Sequence, residues 1–345
     1  MSANAQKSDT LIPLCVDLDG TLIHTDMLWE SLVRLLRKNP LYLFPVFAWW
    51  ARGRARLKAE IASRVAVNVS TLPYNGPLIE FLRAERTRGR RVLLVTASDA
   101  AMGKAVADHL PIFDEVLASD GKLNLRGRNK GEKLAELFGE RGFDYAGNST
   151  VDLPVWQRAR AAIVVNGSPA LCRRAFQCAE HGPVFPSPSA MLPELAKILM
   201  SASITENVVV LLPCLLMILS GIKASLTGAL IAVSAFLFCH WGALILGEWF
   251  ALDSDRSNPA RRKRPFASGA LKVQTGPTLG PLLIVTGLAL AVWAGVPAAA
   301  TAACFTILAG VDSASRSKAS PLARGLTRTA QNMLRLLAGW AAAGL

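Results

Sequence analysis

The sequence Val16-Asp17-Leu18-Asp19-Gly20-Thr21-Leu22 gives the strongest indication of fold and chemistry in this chain of 345 residues. It follows an apolar run over residues 11–16, which is typical of a buried strand. Both carboxylates stand where that strand ends and a loop begins. Side chains two residues apart point the same way only while the chain stays extended. We therefore expect Asp17 to face a substrate and Asp19 to turn toward the opposite side of the same site.

Two further apolar runs, at residues 91–96 and 161–166, are separated from the first by charged, amphipathic stretches. This alternation predicts an α/β domain with a parallel sheet flanked by helices, over residues 1–182. Residues 1–9 lack the basic and then apolar pattern of an export signal, so we expect the domain to lie in the cytoplasm.

The composition indicates a membrane protein, because 52% of the residues are hydrophobic and only 18% are charged. The net charge is +13, but ten of the twelve Lys and Arg after residue 200 lie in 256–272 and 316–328, between apolar segments. Cytoplasmic loops of membrane proteins carry charge in this way, so no nucleic-acid partner is expected. The six cysteines are scattered without a C-x-x-C spacing, which argues against a disulfide scaffold and a zinc ribbon.

The apolar segments of the second half predict an all-α, multi-pass domain of about five spans in the cell (inner) membrane, over residues 207–345. Residues 183–206 are predicted to form a linker and an interfacial helix. The five candidate spans are residues 208–222, 226–252, 278–296, 298–311 and 333–345.

The string at 16–22 resembles D-x-D-G-T-[LV], the first motif of the haloacid dehalogenase (HAD) superfamily of phosphatases. This resemblance implies a HAD-like Rossmannoid sheet with a helical cap, and a phosphatase enzyme. It implies that Asp17 is the nucleophile, which forms an aspartyl-phosphate, and that Asp19 is the general acid and base.

Three further strings stand in the order of the HAD motifs. LVTAS at 94–98 supplies hydroxyls for a phosphoryl oxygen, of which Ser98 is preferred and Thr96 is second. NKGEK at 129–133 supplies the cation that offsets the charge of nucleophile and phosphate, Lys130 by preference and Lys133 as the alternative.

The fourth string, GNSTVD at 147–152, resembles the acidic motif that helps to hold Mg²⁺. The resemblance implies a metal site of Asp17, Asp19, Asp152 and Asn148. Asn148 stands where the family has an aspartate, and an amide oxygen ligates without bringing charge, so we expect a weaker affinity for Mg²⁺. Capping and loop hydrogen bonds are the alternative role of these carboxylates.

The insert between the first two motifs, about residues 26–88, resembles the helical cap of phosphoserine-phosphatase-type enzymes, which closes over small substrates. It contains the stretch LYLFPVFAWW at 41–50. Two interpretations of this stretch stay open. It forms the core of the cap, or its aromatic residues touch the bilayer.

The membrane half resembles the UbiA superfamily of intramembrane prenyltransferases in the strings DRSNP at 255–259 and RRKRPFASG at 261–269. That family binds Mg²⁺ and a diphosphate there. Two acidic positions of its pattern are Gly247 and Ala251 here, so the resemblance is incomplete. A topology-setting basic loop is the alternative. The residues implied in diphosphate and metal binding are Glu248, Asp255, Arg256, Arg261, Arg262, Lys263 and Arg264.

Together the two resemblances predict a membrane protein with a magnesium-dependent phosphohydrolase domain. Its expected substrate is a phosphorylated small molecule or a polyprenyl-linked phosphosugar, because the membrane half is most similar to decaprenyl-phosphate phosphoribosyltransferases. Two alternatives stay open: transfer of a prenyl or phosphoribosyl group to a membrane lipid, and a membrane half that only anchors or binds. A homo-oligomer could complete the half-sized helical bundle.

Overall fold

The computed structural model describes residues 12–119, 124–187, 191–201, 204–315 and 320–344. Residue 11 of the first predicted strand and residue 345 of the fifth predicted span lie outside these ranges. The chain forms two compact units, Met1–Ser189 and Ala190–Leu345.

The first unit contains a six-stranded sheet in the order β3-β2-β1-β4-β5-β6, with every neighbouring pair parallel. The strands are β1 (Leu14–Val16), β2 (Val92–Asp99), β3 (Glu115–Ser119), β4 (Asp144–Gly147), β5 (Ala161–Val165) and β6 (Glu180–Phe185). The prediction of a parallel α/β sheet is confirmed. The sequence analysis missed β3, β4 and β6, which are short and carry polar residues, and β6 runs past the predicted domain end at residue 182.

Helices of the first unit are α1 (Met27–Lys38), α2 (Leu43–Ala51), α3 (Arg54–Ala62), α4 (Gly76–Thr87), α5 (Ala100–His109), α6 (Arg128–Phe138), α7 (Leu153–Trp156) and α8 (Pro169–Cys178). They bury both faces of the sheet. Val16 and Leu94 lie in the core on one face, and Cys15 and Leu93 in the core on the other. Neighbouring strand residues point to opposite faces, so both faces need apolar side chains, and the inner strands β1 and β5 are continuous hydrophobic runs.

The cap consists of α1, α2 and α3, which share a small core of Leu35, Trp49, Leu57 and Ile61. Helix α4 lies within the interval predicted as cap but buries its apolar face in the core of the sheet. The cap helices therefore end at Ala62, well before residue 88. Asp26 begins the cap, because its carboxylate accepts hydrogen bonds from the backbone amides of Leu28 and Trp29 in the first turn of α1.

The second unit is helical. Its helices are α9 (Met191–Ser201), α10 (Ile204–Val208), α11 (Leu212–Leu219), α12 (Leu226–Phe250), α13 (Leu252–Ser257), α14 (Thr275–Trp293), α15 (Val296–Ser315) and α16 (Pro321–Ala343). Small residues let these helices approach closely, as in membrane bundles. A Cβ added at Gly242 of α12 would lie 2.6 Å from the carbonyl oxygen of Gly280 in α14.

Three helices in the described part of the second unit are long and apolar enough to cross a membrane, namely Leu226–Phe250, Thr275–Trp293 and Val296–Ser313. The sequence analysis expected about five. At the first of the other two positions, the apolar helical stretch Glu206–Leu219 is shorter than a span needs. At the last position, α16 carries Arg335 inside the predicted span and Arg324 and Arg328 before it, and these charges lower its hydropathy.

Candidate active site

The candidate site lies at the carboxyl ends of β1, β2 and β4, which are neighbours in the sheet. Asp17 follows β1 directly and its side chain is buried. Gly20 turns the loop behind it with a φ of +76°. This φ favours glycine, and a Cβ added at Gly20 would also lie 2.1 Å from the side-chain nitrogen of Asn148 and displace that amide. The loops after β1 and β4 can therefore approach each other closely.

Lys130 is the cation of the site. Helix α6 places its Nζ 2.6 Å from Oδ1 of Asp17, and the same ammonium donates hydrogen bonds to the backbone oxygen of Val95 and to the hydroxyl of Tyr145. All three partners are buried. A lysine held in this way neutralises charge next to Asp17 without moving.

Asp19 is held from two sides. Its Oδ1 accepts a hydrogen bond of 2.8 Å from the backbone amide of Met27, the first residue of α1, and its Oδ2 accepts one of 2.9 Å from Oγ of Ser98. The hydroxyl of Ser98, predicted to bind phosphate, therefore points at Asp19. Thr96 is fully buried, and its hydroxyl accepts the amide hydrogen of Ser98.

Asp152 is held by the loop that follows β4. Its Oδ2 accepts hydrogen bonds of 3.0 Å from the backbone amides of Asn148 and Ser149, while its Oδ1 accepts one from the hydroxyl of Tyr145. Ser149 and Asp152 form a capping box at the short helical turn Thr150–Asp152. The capping role considered for these carboxylates is thus present, and it fixes the position of Asp152 at the cavity.

Burial raises the pKa values of the two motif aspartates. The pKa of Asp17 rises to about 6 because burial and the charge of Asp152 outweigh the effect of Lys130. The pKa of Asp19 rises to about 7, mainly through burial and then through the charges of Asp26 and Asp17. A carboxyl group with a pKa near neutrality can both give and take a proton at neutral pH.

A cavity of about 430 Å³ opens over these groups, a size typical of small-molecule sites. Its lining brings together Asp17, Asp19, Lys130, Asn148 and Asp152 from the predicted set. The charged residues of the lining are Asp17, Asp19, Asp26, Asp99, Asp152, Lys58, Arg126 and Lys130, which gives five negative and three positive charges when all are ionised.

Lys133, the alternative cation, does not belong to this lining. It lies one turn along α6 and forms an ion pair of 3.1 Å with Glu136 on the surface. Leu134 explains the difference, since it is buried and shares a helix face with Lys130.

The residues present fit a divalent cation such as Mg²⁺. Carboxylate and amide oxygens of Asp17, Asp152 and Asn148 line one cavity, and such oxygens are the ligands that Mg²⁺ prefers. The excess of two negative charges in the lining would be balanced by one such ion. In the described part of the chain, no three His, Cys, Asp or Glu side chains are grouped closely enough to hold a metal alone. An amide, backbone, water or substrate oxygen would have to complete the site.

The sequence analysis missed three residues of the site. Tyr145 links Lys130 to Asp152, Asn166 donates a hydrogen bond of 2.8 Å to the backbone oxygen of Gly20, and Lys58 of the cap donates one of 3.1 Å to the backbone oxygen of Ala97. Asn166 stands at the end of β5, where polar residues of parallel sheets often serve a site, so its position offered a signal. The contacts of Tyr145 and Lys58 depend on packing between distant segments.

The residues predicted to bind diphosphate in the second unit form a different arrangement. Asp255 is buried, and its carboxylate pairs with Arg264 at 3.0 Å and with Arg261 at 3.7 Å. The guanidinium of Arg256 donates to the backbone oxygen of Ala267 at 3.0 Å.

Glu248 lies half-buried near the end of α12, two turns before Asp255. The side chains of Arg262 and Lys263 are exposed. The structure thus groups Asp255 with two of the predicted arginines in an internal ion pair.

Comparison with known proteins identifies the first unit. Residues 14–157 match the family model of haloacid dehalogenase-like hydrolases. The N-terminal unit is therefore a HAD-type hydrolase domain, and the prediction of that superfamily is confirmed for this unit.

A curated relative, Uncharacterized protein y4nM from Sinorhizobium fredii, is 30% identical over 284 residues, which cover 82% of this chain and 55% of the relative. The chain thus spans about half the length of that protein. Since the first unit ends at Ser189, the matched region extends into the helical unit.

Two solved structures resemble the chain at 18% identity. A phosphoserine phosphatase in its apo form covers 54% of this chain and 98% of its own, with a TM-score of 0.38. A protein of unknown function from Bordetella pertussis Tohama I covers 50% of this chain and 97% of its own, with a TM-score of 0.37.

Proposed function

We propose that the HAD-type domain is a magnesium-dependent phosphomonoesterase, acting through Asp17 on a phosphorylated small molecule or a lipid-linked phosphosugar. The observation that carries this proposal is the arrangement around Asp17. Lys130 holds one of its carboxylate oxygens at 2.6 Å, while Asp19 is held separately by Met27 and Ser98 at the same cavity. Nucleophile, cation and proton donor thus meet in one place.

The proposed reaction has two steps. In the first, a carboxylate oxygen of Asp17 attacks phosphorus and the ester P–O bond breaks, while Asp19 gives its proton to the leaving oxygen. In the second, water attacks the phosphorus of the aspartyl-phosphate, and Asp19 takes the proton of that water as the bond to Asp17 breaks. Phosphate is released and both aspartates return to their first state.

Lys130 stabilises charge in both steps because it stays close to the nucleophile. Asp17, Asp152 and Asn148 would hold Mg²⁺, with Asp19 close by. When bound, the ion neutralises phosphoryl oxygens and makes the phosphorus easier to attack. The sequence prediction that Asn148 weakens the site stands as part of the proposal.

The cations Lys58 and Arg126 at the cavity favour a substrate with negative charge beyond the reacting phosphate or with several polar groups. Lys58 belongs to the cap and Arg126 to the loop before α6, so the two approach the cavity from different parts of the domain. Substrate selection would then depend on the position of the cap.

The helical unit supports placement of this enzyme at a membrane, since three of its helices have the length and hydropathy of spans. We infer an inner-membrane protein whose basic loop 253–277 faces the cytoplasm. Because α12 lies between that loop and the HAD-type domain, a cytoplasmic HAD-type domain requires that the apolar helical stretch Glu206–Leu219 also crosses the membrane, as the sequence analysis predicts for residues 208–222. Assignment of the helical unit to the UbiA superfamily, transferase activity and a homo-oligomer stay predictions from the sequence. The ion pairs of Asp255 do not favour transfer over anchoring.

The test is hydrolysis of a panel of phosphorylated sugars and polyprenyl-linked phosphosugars by the full chain in proteoliposomes, with Mg²⁺ varied. Phosphate release that needs Mg²⁺ and is lost in Asp17→Asn would support the proposal. The matched control is Asp144→Asn, a buried aspartate at the opposite end of β4 that pairs with Arg90 and Arg160. Release that persists in Asp17→Asn, or no release from a folded protein across the panel, would overturn it.

A further inference from the structure

Helix α2 of the cap has two apolar faces. Val46 and Trp49 point inward and belong to the core of the cap. The opposite face carries Leu43, Phe44, Phe47 and Trp50, whose side chains are 46%, 73%, 61% and 63% exposed, and Leu41 before the helix is 67% exposed. The inward face of α2 agrees with the interpretation of the stretch 41–50 as cap core, and the outward face is left exposed.

The exposed face is too apolar for an ordinary surface helix. Large contiguous apolar patches on soluble domains mark sites of interaction with protein or membrane. The apolar segment Pro40–Ala51 is too short to cross a bilayer, which needs about 20 residues. Its length and one-sided exposure instead suit a helix that lies in the plane of a membrane surface, with aromatic side chains at the level of the headgroups.

The basic residues around this helix indicate which kind of membrane surface the exposed face would bind. Residues 31–59 contain seven Lys and Arg and no Asp or Glu. Two of the seven, Arg34 and Arg56, pair with Glu30 and Glu60. Lys38 precedes the apolar face and Arg52 follows it, and both side chains are exposed. Basic residues on both sides of an apolar aromatic face complement anionic lipid headgroups. A protein partner would need a hydrophobic groove rimmed by acidic residues, whereas the three candidate spans of the chain already require a lipid bilayer.

We propose that the lipid-facing patch, defined as Leu41, Leu43, Phe44, Phe47 and Trp50, docks on an anionic phospholipid surface. The cap that carries this patch also reaches the candidate site. Lys58 of α3 lines the cavity, and the first amide of α1 holds Asp19. Docking of the cap would thus place the cavity entrance at the membrane surface, where a phosphate carried by a lipid is presented. This consequence rests on the proposed function, while the docking itself does not.

Docking is tested with the full chain in liposomes of phosphatidylethanolamine and phosphatidylglycerol. A photoreactive benzoylphenylalanine is placed at Phe44 or Phe47 and, as the matched control, at Leu137 of α6, which is 45% exposed outside the cap. We expect cross-links to phosphatidylglycerol at Phe44 and Phe47, at least about fivefold above Leu137. Equal lipid labelling at all three positions, or cross-links only to protein, would overturn the proposal.

The consequence for substrate is tested with Phe44→Glu/Phe47→Glu and with Leu137→Glu as its control. Two probes are compared: water-soluble p-nitrophenyl phosphate and a polyprenyl-linked ribose 5-phosphate in the same vesicles. We expect the double variant to lose about tenfold on the lipid probe and to stay within about twofold on the soluble probe. Equal losses on both probes, or none on either, would contradict lipid presentation.

Failure of the proposed function gives a different result from failure of docking. If the unmodified protein hydrolyses neither probe, the phosphatase proposal fails, while the cross-linking experiment still decides whether the patch meets lipid. If both probes are hydrolysed but cross-links to lipid are missing, the docking proposal fails and the phosphatase proposal stands.

Discussion

Two buried groups of carboxylates and cations, one in each unit, show how the same residue types serve different ends. Asp17 pairs with Lys130 beside a cavity whose lining has more acids than bases. Asp255 pairs with two arginines, Arg261 and Arg264, so bases outnumber the acid. The first group has room and negative charge left for a metal ion and a phosphate. In the second, the described ion pairs join the carboxylate to two guanidinium groups, which holds the basic loop after α13 against that helix.

The largest expected effect separates these two groups directly. Asp17→Asn removes the proposed nucleophile and should lower Mg²⁺-dependent phosphate release by more than about 10³-fold. Asp255→Asn should leave phosphate release within about twofold, because it lies in the other unit, but should destabilise the helical unit by about 1 to 3 kcal/mol. Rates in proteoliposomes and protection of α12–α13 from hydrogen exchange measure both effects. Loss of hydrolysis in Asp255→Asn with an intact fold would contradict a purely structural role of the Asp255 ion pairs.

The next effect concerns the two lysines of α6. Lys130→Met leaves Asp17 buried without its cation, and we expect a loss of about 10²-fold to 10³-fold in kcat/KM for p-nitrophenyl phosphate. Lys133→Met removes only a surface ion pair with Glu136, so kcat/KM should stay within about twofold. Comparable losses in both variants would show that α6 has a different rotation from the one described.

Asn148→Asp adds a negative charge to the cavity of the first unit. We expect the Mg²⁺ concentration for half-maximal activity to fall by about tenfold. Asn124→Asp, which also adds a charge to the cavity lining, is the control for a general electrostatic effect. Equal shifts in the two variants, or weaker binding in Asn148→Asp, would argue against Asn148 as a ligand.

The smallest effect is on the metal-free stability of the HAD-type unit. The pKa of Asp19 is about 7 in the folded unit and about 4 in an unfolded chain, so the folded state binds more protons between these values. Stability from this group is therefore present at low pH and is lost as the pH rises toward 7.

The amide of Asp19→Asn does not ionise, so this variant should not lose stability as the pH rises. In EDTA at pH 8 we expect several-fold greater protection of β1 and β4 from hydrogen exchange than in the unmodified protein, with a smaller difference at pH 5. A difference that is the same at both pH values would exclude ionisation of Asp19 as its cause.

The fold of the first unit was largely predictable, because two local signals agree in it. Apolar runs predicted β1, β2 and β5, and the acidic string after β1 indicated the edge of the sheet at which the candidate site lies. The strands β4 and β6 gave no such signal, since the sequences DYAG and EHGPVF are short and partly polar. They form because neighbouring strands offer hydrogen-bond partners, which is information from distant parts of the chain.

The candidate site was predictable as a set of residues and less so as a set of contacts. Ser98 was expected to face a phosphate, but its hydroxyl donates to Asp19. The choice between Lys130 and Lys133 depended on the rotation of α6. Gly131 permits that rotation, because a Cβ there would lie 2.9 Å from the backbone oxygen of Pro154. A hydrophobic residue four positions after Lys130, Leu134, was the one local signal for the correct lysine.

The helical unit shows the limit of hydropathy as a guide. Apolar composition located its helices, yet only three of the five predicted spans are long and apolar enough in the described residues. Arg335 lies in the last predicted span and is fully buried against Asn207 and Asn332. A buried, hydrogen-bonded arginine in an apolar segment is a consequence of packing that no window average can predict.

The amino-acid sequence by itself determined the parallel sheet, the acidic motif at its edge and the apolar character of the second half. These depend on periodicity and residue type within short windows. Only the tertiary structure decided which lysine meets Asp17, that Asp255 is closed into an ion pair, and that one face of α2 is left outside the cap. Those outcomes depend on which side of a helix is buried, and burial is set by contacts between segments that are distant along the chain.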